Sequence, residues 1–415
     1  MTKIGQKQGS GGFIVMVVLS SVIYNAVLAL INAHVMALSF SHVALTEISI
    51  LAAILVYILR RGIYVQDMAI FLYLIATFVM MLYVSVLNRA PVVDYFRNIL
   101  IIFCFAAAGT WANAQTVKSA FKIACSLVLL VLVIEIFAIG LYETLFYPMS
   151  YFENTRGIEQ VSFDGSKLFQ NSLRIEGRFS FGIINHRASS LFLEQVSLAN
   201  FSGVLLIFIV SFWQSLKLGE RVLFVTTILL ILVTNDSRSM LIFAVICFVG
   251  YFVFPHLPRL VAMLYMPLIV LAGLLVYMLK PDASGDTLDG RVVLTMKHLF
   301  ETDVSAMLGL FAARAAEFAD SGYLYVIYGG TVFGLVVFWI FVCFFPASRT
   351  PSQRRCLHSL SVFIFMNMMI GGTAVFSIKV AGLLWLLVGH LKFAPSGRSI
   401  PGARAASVAP ATGKA

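Results

Sequence analysis

FIVMVVLSSVIYNAVLALINAH, residues 13–34, contains no Asp, Glu, Lys or Arg. It is as long as the ~20 residues an α-helix needs to cross a ~30 Å hydrocarbon core. Working outward from it, comparable runs occur at 43–59, 66–87, 95–113, 121–142, 190–213, 222–235, 239–255, 260–279, 322–345, 357–373 and 375–391. They predict an all-α, polytopic helical bundle in the membrane with about twelve spans. The run 222–235 is the weakest, because it is short and ends at Asn235-Asp236-Ser237-Arg238. Composition agrees: 12% of the residues are charged and 60% hydrophobic, with mean hydropathy +0.95, against roughly 25% charged in a soluble domain. Five spans fall within 1–142, a long loop at 143–189, four spans within 190–279, a second long loop at 280–321, three spans within 322–392, and a tail at 393–415.

Charge placement supplies an independent test, because short cytoplasmic loops are enriched in Lys and Arg. If the N-terminus is inside, Arg60, Arg61, Lys118, Lys122, Lys217, Arg221, Arg259, Arg349, Arg354, Arg355 and Lys392 are cytoplasmic. The short loops on the other side hold only Arg89 and Arg238. Both termini are therefore expected inside. Of the 19 acidic residues only Asp67 and Glu220 fall on the cytoplasmic side, Glu47 and Glu135 lie within spans, and the rest face outward. The net charge of +10 is thus a signature of topology, and no nucleic-acid partner is expected. The first span has the basic flank of a signal peptide but no small-residue cleavage site, so it is expected to remain as an anchor. The five cysteines avoid the outward loops, where a disulfide would form, and the Ala/Gly/Ser/Pro-rich tail is expected to be disordered.

The two long outward loops break the pattern of tight connections, and loops of that length are usually functional or disordered. The first carries Arg156, Lys167, Arg174, Arg178 and Arg187 beside Glu153, Glu159, Asp164 and Glu176. It opens on the aromatic group Tyr142, Phe146, Tyr147, Tyr151 and Phe152, which suits a membrane interface. The second contains Asp282, Asp286 and Asp289, then Gly290-Arg291. A helix begun near Thr287 or Asp289 sets Arg291 and His298 on one face. A second short helix at 304–319 puts Arg314 and Glu317 at i,i+3, and the loop ends in Asp320-Ser321-Gly322-Tyr323.

A permanently charged, planar guanidinium matches a phosphate ester or diphosphate. Clustered arginines at the outer surface therefore point to a lipid diphosphate. The plainer reading, that these arginines balance neighbouring carboxylates on a solvated loop, fits Arg156 and Lys167 best. Arg178 and Arg291 each follow a glycine where the loop nears the membrane, and are the stronger candidates. Ionisable residues in or at the edge of spans are costly and become site candidates. Glu194, read as one turn inside the sixth span, becomes a general base if desolvation raises its pKa. Its plainer role is a salt bridge to Arg187 or Arg238. Arg238 stands between Ser237 and Ser239 at the mouth of the eighth span. Lys379 and Glu135 read as structural pairs within the bundle. No P-loop, dinucleotide fingerprint, HExxH or paired CxxC is present, so neither metal nor nucleotide cofactor is expected.

Between about 170 and 345 the order of features resembles the bacterial Wzy-type polysaccharide polymerases, which share a superfamily with the O-antigen ligases. The features are a long outward loop with Gly-Arg, a Ser-Arg-Ser at a span mouth, a second loop with Gly-Arg, and Asp320-Ser321-Gly322-Tyr323-Leu324-Tyr325 entering a span with Tyr328-Gly329-Gly330 and Gly334. The stretch from Arg187 to Asn200 looks like exopolysaccharide polymerases. Where ligases and some polymerases have a histidine before the late span, this chain has Asp320.

The resemblance implies a multi-pass glycosyltransferase of the bacterial inner membrane, working at its periplasmic face without a cofactor. Donor and acceptor would be glycans on a polyprenyl diphosphate such as undecaprenyl diphosphate, with chain-length regulator and export proteins as further partners. It implies that Arg178, Arg187, Arg238 and Arg291 hold the diphosphate, that Arg291 also assists departure, and that Glu194 or Asp320 deprotonates the acceptor. Arg174, His298, Arg314 and Glu317 are secondary candidates. An O-antigen-type ligase and a lipid-linked oligosaccharide flippase stay open as alternatives.

Overall fold

The structure is a computed structural model that describes residues 11–62, 67–158, 165–174, 180–285, 287–318 and 320–393. Arg178, Glu159, Asp164, Glu176, Asp286 and the tail beyond 393 lie outside the described residues.

The described residues are helical, with no strand beyond an isolated bridge between Leu173 and His186. Five long helices come first: α1 (Gly11–His34), α2 (Phe40–Arg61), α3 (Met68–Asn88), α4 (Asp94–Trp111) and α5 (Ala114–Phe137). Two short ones follow in the first loop, α6 (Ile139–Phe146) and α7 (Pro148–Arg156). Then come α8 (Gln195–Phe212), α9 (Leu218–Asn235), α10 (Arg238–Val253) and α11 (Val261–Leu279). The second loop holds α12 (Leu288–Glu301) and α13 (Val304–Met307), and the bundle closes with α14 (Gly322–Phe344), α15 (Pro351–Ile370) and α16 (Ile378–Phe393).

Nine of these helices are long and apolar enough to cross a membrane: α1, α2, α3, α5, α8, α9, α10, α11 and α14. The weak run at 222–235 is thereby a full helix from Leu218. The remaining long helices, α4, α15 and α16, form much of the centre. Lipid does not touch most of their surface, so they tolerate Arg97, Arg355, His358 and Lys379, of which the last three are buried or nearly so. α4 and α16 approach backbone to backbone: a Cβ on Gly109 would strike the Leu386 carbonyl, and one on Gly389 the Ala106 carbonyl. Small residues at helix crossings permit the dispersion contacts that drive association in lipid. The outer helices turn large apolar side chains such as Phe248, Leu264 and Leu271 outward.

Three departures from the expected runs matter. The fifth run breaks at Ala138, and α6 continues it at a new angle. The sixth begins with a buried turn at 190–193, so α8 starts only at Gln195 and Glu194 is its N-cap residue. The helix expected at 304–319 is instead α13, a turn, and a 3-10 segment Ala312–Phe318.

Candidate functional site

The two long connections meet at one end of the bundle, over a cavity of about 920 Å³. Its walls are the N-terminal ends of α2 (Val43, Glu47), α4 (Asp94, Arg97, Asn98), α8 (Gln195, Ser197), α14 (with Ser321 before it, and Tyr325) and α16 (with Ser377 before it, and Lys379), closed over by Arg156 of α7 and by Arg291, Leu294 and His298 of α12. Helices of one direction all begin here, so their free N–H groups and positive dipole ends favour oxygen-rich or anionic groups. Tyr24, Tyr151, Phe152, Phe318, Tyr325 and Phe376 add aromatic faces.

Glu194 sits at the centre of the charge network. Arg156 grips it with both terminal nitrogens, Nη1 to Oε1 at 3.2 Å and Nη2 to Oε2 at 3.3 Å. Lys379 Nζ lies 3.5 Å from Oε2, and Ser197 Oγ donates to the same oxygen at 3.1 Å. The partners expected for it, Arg187 and Arg238, are engaged elsewhere. Burial alone pushes the Glu194 carboxyl up, but the charges of Arg156 and then Lys379 outweigh burial and hold it at about 2. The charge partners thus act against the desolvation on which a base role for Glu194 depends, and the arrangement fits its plainer reading as a salt-bridge residue, with Arg156 and Lys379 as the partners. Lys379 pairs within the bundle, with Glu194 as its partner. Beside this group, Tyr24 donates to Glu47 Oε1 at 2.6 Å and Arg97 Nη2 lies 3.4 Å from Glu47 Oε2.

The placement of Glu194 is built from below. Glu135, fully buried in α5, accepts from two successive backbone N–H groups, Ser189 at 3.0 Å and Ser190 at 2.7 Å, with His186 Nε2 at 3.4 Å. Tyr142 donates to the Ser190 carbonyl at 2.9 Å, and Asn235 Nδ2 to the carbonyls of Ala188 and Gln195 at 2.7 and 2.8 Å. Ser190 and Leu193 take positive φ, 48° and 59°, a region L-residues rarely enter. These bonds hold the chain in that shape and deliver Glu194 to the cavity.

Thr287 caps α12 as expected, accepting from Gly290 N at 3.0 Å. Arg291 and His298, on one face, both line the large cavity. Arg291 Nη1 donates to the Ile370 carbonyl at 3.1 Å. Arg291 also lines a second space of about 90 Å³ with Arg187, Arg238, Asn200, Asp236 and Ser237. Three of the four arginines expected to act together therefore surround one small chamber, and Val196, Arg291 and Gly371 line both spaces. Asn200 Oδ1 is buried there without a hydrogen-bond partner among the described residues. Arg187 Nε donates to the Asn235 carbonyl at 3.0 Å.

The other candidates separate. Asp320 and Glu317 line the large cavity. Asp320 is exposed, and no described residue makes an ion pair or hydrogen bond with it. Arg174 lines neither space, because Asp236 Oδ2 takes its guanidinium at 2.7 Å. Arg314 lines neither as well: it faces outward, 3.1 Å from Glu317 and over the rings of Phe318 and Tyr328. Lys167 keeps the place expected of a loop charge, over the Tyr147 ring at 5.1 Å. Arg156 does not, and with Arg97, Asp94 and Tyr24 it is a cavity residue that sequence reasoning passed over.

Fold and site together define a polytopic helical membrane protein with a charged, aromatic-lined cavity at one end of its bundle. Compared with models of protein families, with curated proteins and with solved structures, the chain matches none.

Proposed function

We propose that this chain is a glycosyltransferase of the bacterial inner membrane that joins polyprenyl-diphosphate-linked oligosaccharide repeats into a polysaccharide at the periplasmic face. One observation carries the reading: the arginine chamber of Arg187, Arg238 and Arg291 adjoins a glycan-sized cavity with aromatic faces and carboxylates, through the shared residue Arg291. The small chamber offers guanidinium forks for a diphosphate, and the large one stacking faces and polar groups for sugars. The orientation follows from charge. The cavity end is taken as periplasmic because Arg60, Arg61, Lys217, Arg259, Arg354 and Lys392 lie at the opposite helix ends. All twelve long helices then cross, with both termini inside.

In this reaction the acceptor hydroxyl oxygen attacks the anomeric carbon of the donor. The bond from that carbon to the phosphate oxygen breaks, and the electron pair leaves with the polyprenyl diphosphate. Asp320, exposed in the cavity wall and paired with no described residue, takes the hydroxyl proton, whereas Glu194 is held by its two cations and serves to fix Arg156 and Lys379 in the wall. Negative charge grows on the departing diphosphate, and a preorganised donor such as Arg291 is worth ~2–4 kcal/mol there.

Arg291→Ala should abolish long polymer while single lipid-linked repeats accumulate, read on a gel of polysaccharide from a deletion strain complemented at equal protein level. Normal polymer in that strain would sink the assignment. A ligase differs only in its acceptor, and the same gel separates the two, since loss of a ligase leaves polymer on its lipid. The cavity is confined to one end of the bundle, which disfavours a flippase.

A further inference from the structure

We infer that the middle of the second long connection, Val304 to Phe311, is not a solvated loop but a re-entrant turn seated in the outer leaflet, with bilayer acyl chains as its partner. This inference rests on the membrane fold and not on the transfer reaction.

Position comes first. Gly309 packs between α3 and α14: a Cβ built on it would lie 3.1 Å from both Val84 Cγ2 and Thr331 Cγ2, and 3.6 Å from the Tyr83 ring. Val84 is one turn below the end of α3, and Thr331 is nine residues below the start of α14, so the turn tip lies about 6–13 Å inside the helix ends. That depth falls within a hydrocarbon half-thickness of ~15 Å.

Composition agrees. From Val304 to Ala313 the chain reads VSAMLGLFAA without a charge. One side of the turn is sealed, with Ala306 packed among Phe318, Leu324 and Tyr328. The other faces outward: Val304 is 71% exposed, Leu308 40% and Phe311 54%. This face continues the outward apolar side of α3 at Val79, Leu82, Tyr83 and Val86, the lipid-facing surface already required by the fold.

Local backbone pairing favours such a place, since an unbonded peptide group in hydrocarbon costs several kcal/mol. Four successive N–H groups bond within the turn: Met307 to the Asp303 carbonyl, Leu308 to Val304, Gly309 to Ala306 and Leu310 to Ser305. The Asn88 side chain adds two bonds, donating to the Gly309 carbonyl at 2.6 Å and accepting from Ala312 N at 3.0 Å. Because Phe318 lines the large cavity, the turn becomes the partition between cavity and lipid.

The test uses the full chain in phosphatidylethanolamine–phosphatidylglycerol vesicles, with a nitroxide on Val304→Cys or Phe311→Cys and Val79→Cys and Asp282→Cys as lipid and water references. The native cysteines are buried. Oxygen should outcompete a water-soluble nickel chelate in relaxing the labels at 304 and 311, as it does at 79. Chelate dominance, as at 282, would overturn the inference. Phe311→Trp, quenched by lipids brominated in the acyl chain, repeats the test without a label, and an unquenched tryptophan would count against it equally. In an Asn88→Ala background the label at 311 should move toward the water reference, and an unchanged label would remove Asn88 from the account.

Discussion

Glu194 shows how one residue's chemistry turns on partners that are remote in sequence. Desolvation was expected to raise its pKa, and burial does push that way, yet two cations in contact reverse the result. A carboxyl held near 2 rather than its ordinary ~4.3 contributes stability that is complete above pH ~4.3 and lost as pH falls toward 2. It therefore stays ionised across the working range. Glu194→Gln should lower the transfer rate, because Arg156 and Lys379 lose their anchor, while leaving the shape of the pH–rate profile between pH 5 and 9 unchanged. A profile that loses an ionisation in this variant would show that Glu194 titrates. Asp320→Asn should reduce the rate by about 10²–10⁴, the usual weight of a general base, and a rate within a factor of two of wild type would transfer that role elsewhere. The sequence displayed Glu194, Arg291 and Asp320 as candidates because charges near spans are conspicuous. It hid Arg156 because its partner stands 38 residues away, and a fork between two loops leaves no trace in local spacing.

Among the elements, the turn at 188–193 and the break in α14 carry the most information. Hydropathy read 190–213 as one span, since Ser190, Leu191, Phe192 and Leu193 are as apolar as a helix requires, and hydropathy is blind to the sign of φ. Glu135→Gln keeps the volume but sets an amide NH₂ against backbone donors. It should destabilise the protein by about 1–3 kcal/mol for the unsatisfied buried group, read as a lower midpoint of thermal aggregation in detergent. If Glu135 acts on the reaction through Glu194, the two changes should be non-additive in the rate; full additivity would leave Glu135 a purely structural residue. In α14, Thr331 adopts φ 67° and ψ 169°, a combination nearly confined to glycine. Its hydroxyl accepts from Phe333 N and Gly334 N at 3.2 and 3.3 Å and so caps the lower half of the helix. Thr331→Val should cost about 1 kcal/mol, the worth of a lost cap, whereas Thr331→Ser retains the cap and should melt near wild type. Equal melting of both variants would mean that the cap contributes nothing.

At the scale of the whole molecule the order of the long helices was legible, because each apolar run is a local property that lipid alone demands. Helix ends moved by a few residues; α4 and α15 fall short on hydropathy because protein rather than lipid surrounds them, and α16 falls short on length, with 16 residues. The cavity was not legible as a shape, since it arises where the starts of five helices converge under two loops. Topology is testable directly. Cysteines placed at Arg349 and at Asp282 should react with an impermeant maleimide from opposite sides of sealed inverted vesicles, the first from the cytoplasmic side. Labelling of both from one side would break the alternation on which the cavity depends.

The most direct measurement is transfer itself. The purified chain in liposomes, given a polyprenyl-diphosphate-linked oligosaccharide repeat, should produce a ladder of longer lipid-linked glycans and release polyprenyl diphosphate, and Arg291→Ala should produce neither. A repeat that crosses the bilayer without lengthening, or a ladder that persists in Arg291→Ala, would contradict the account.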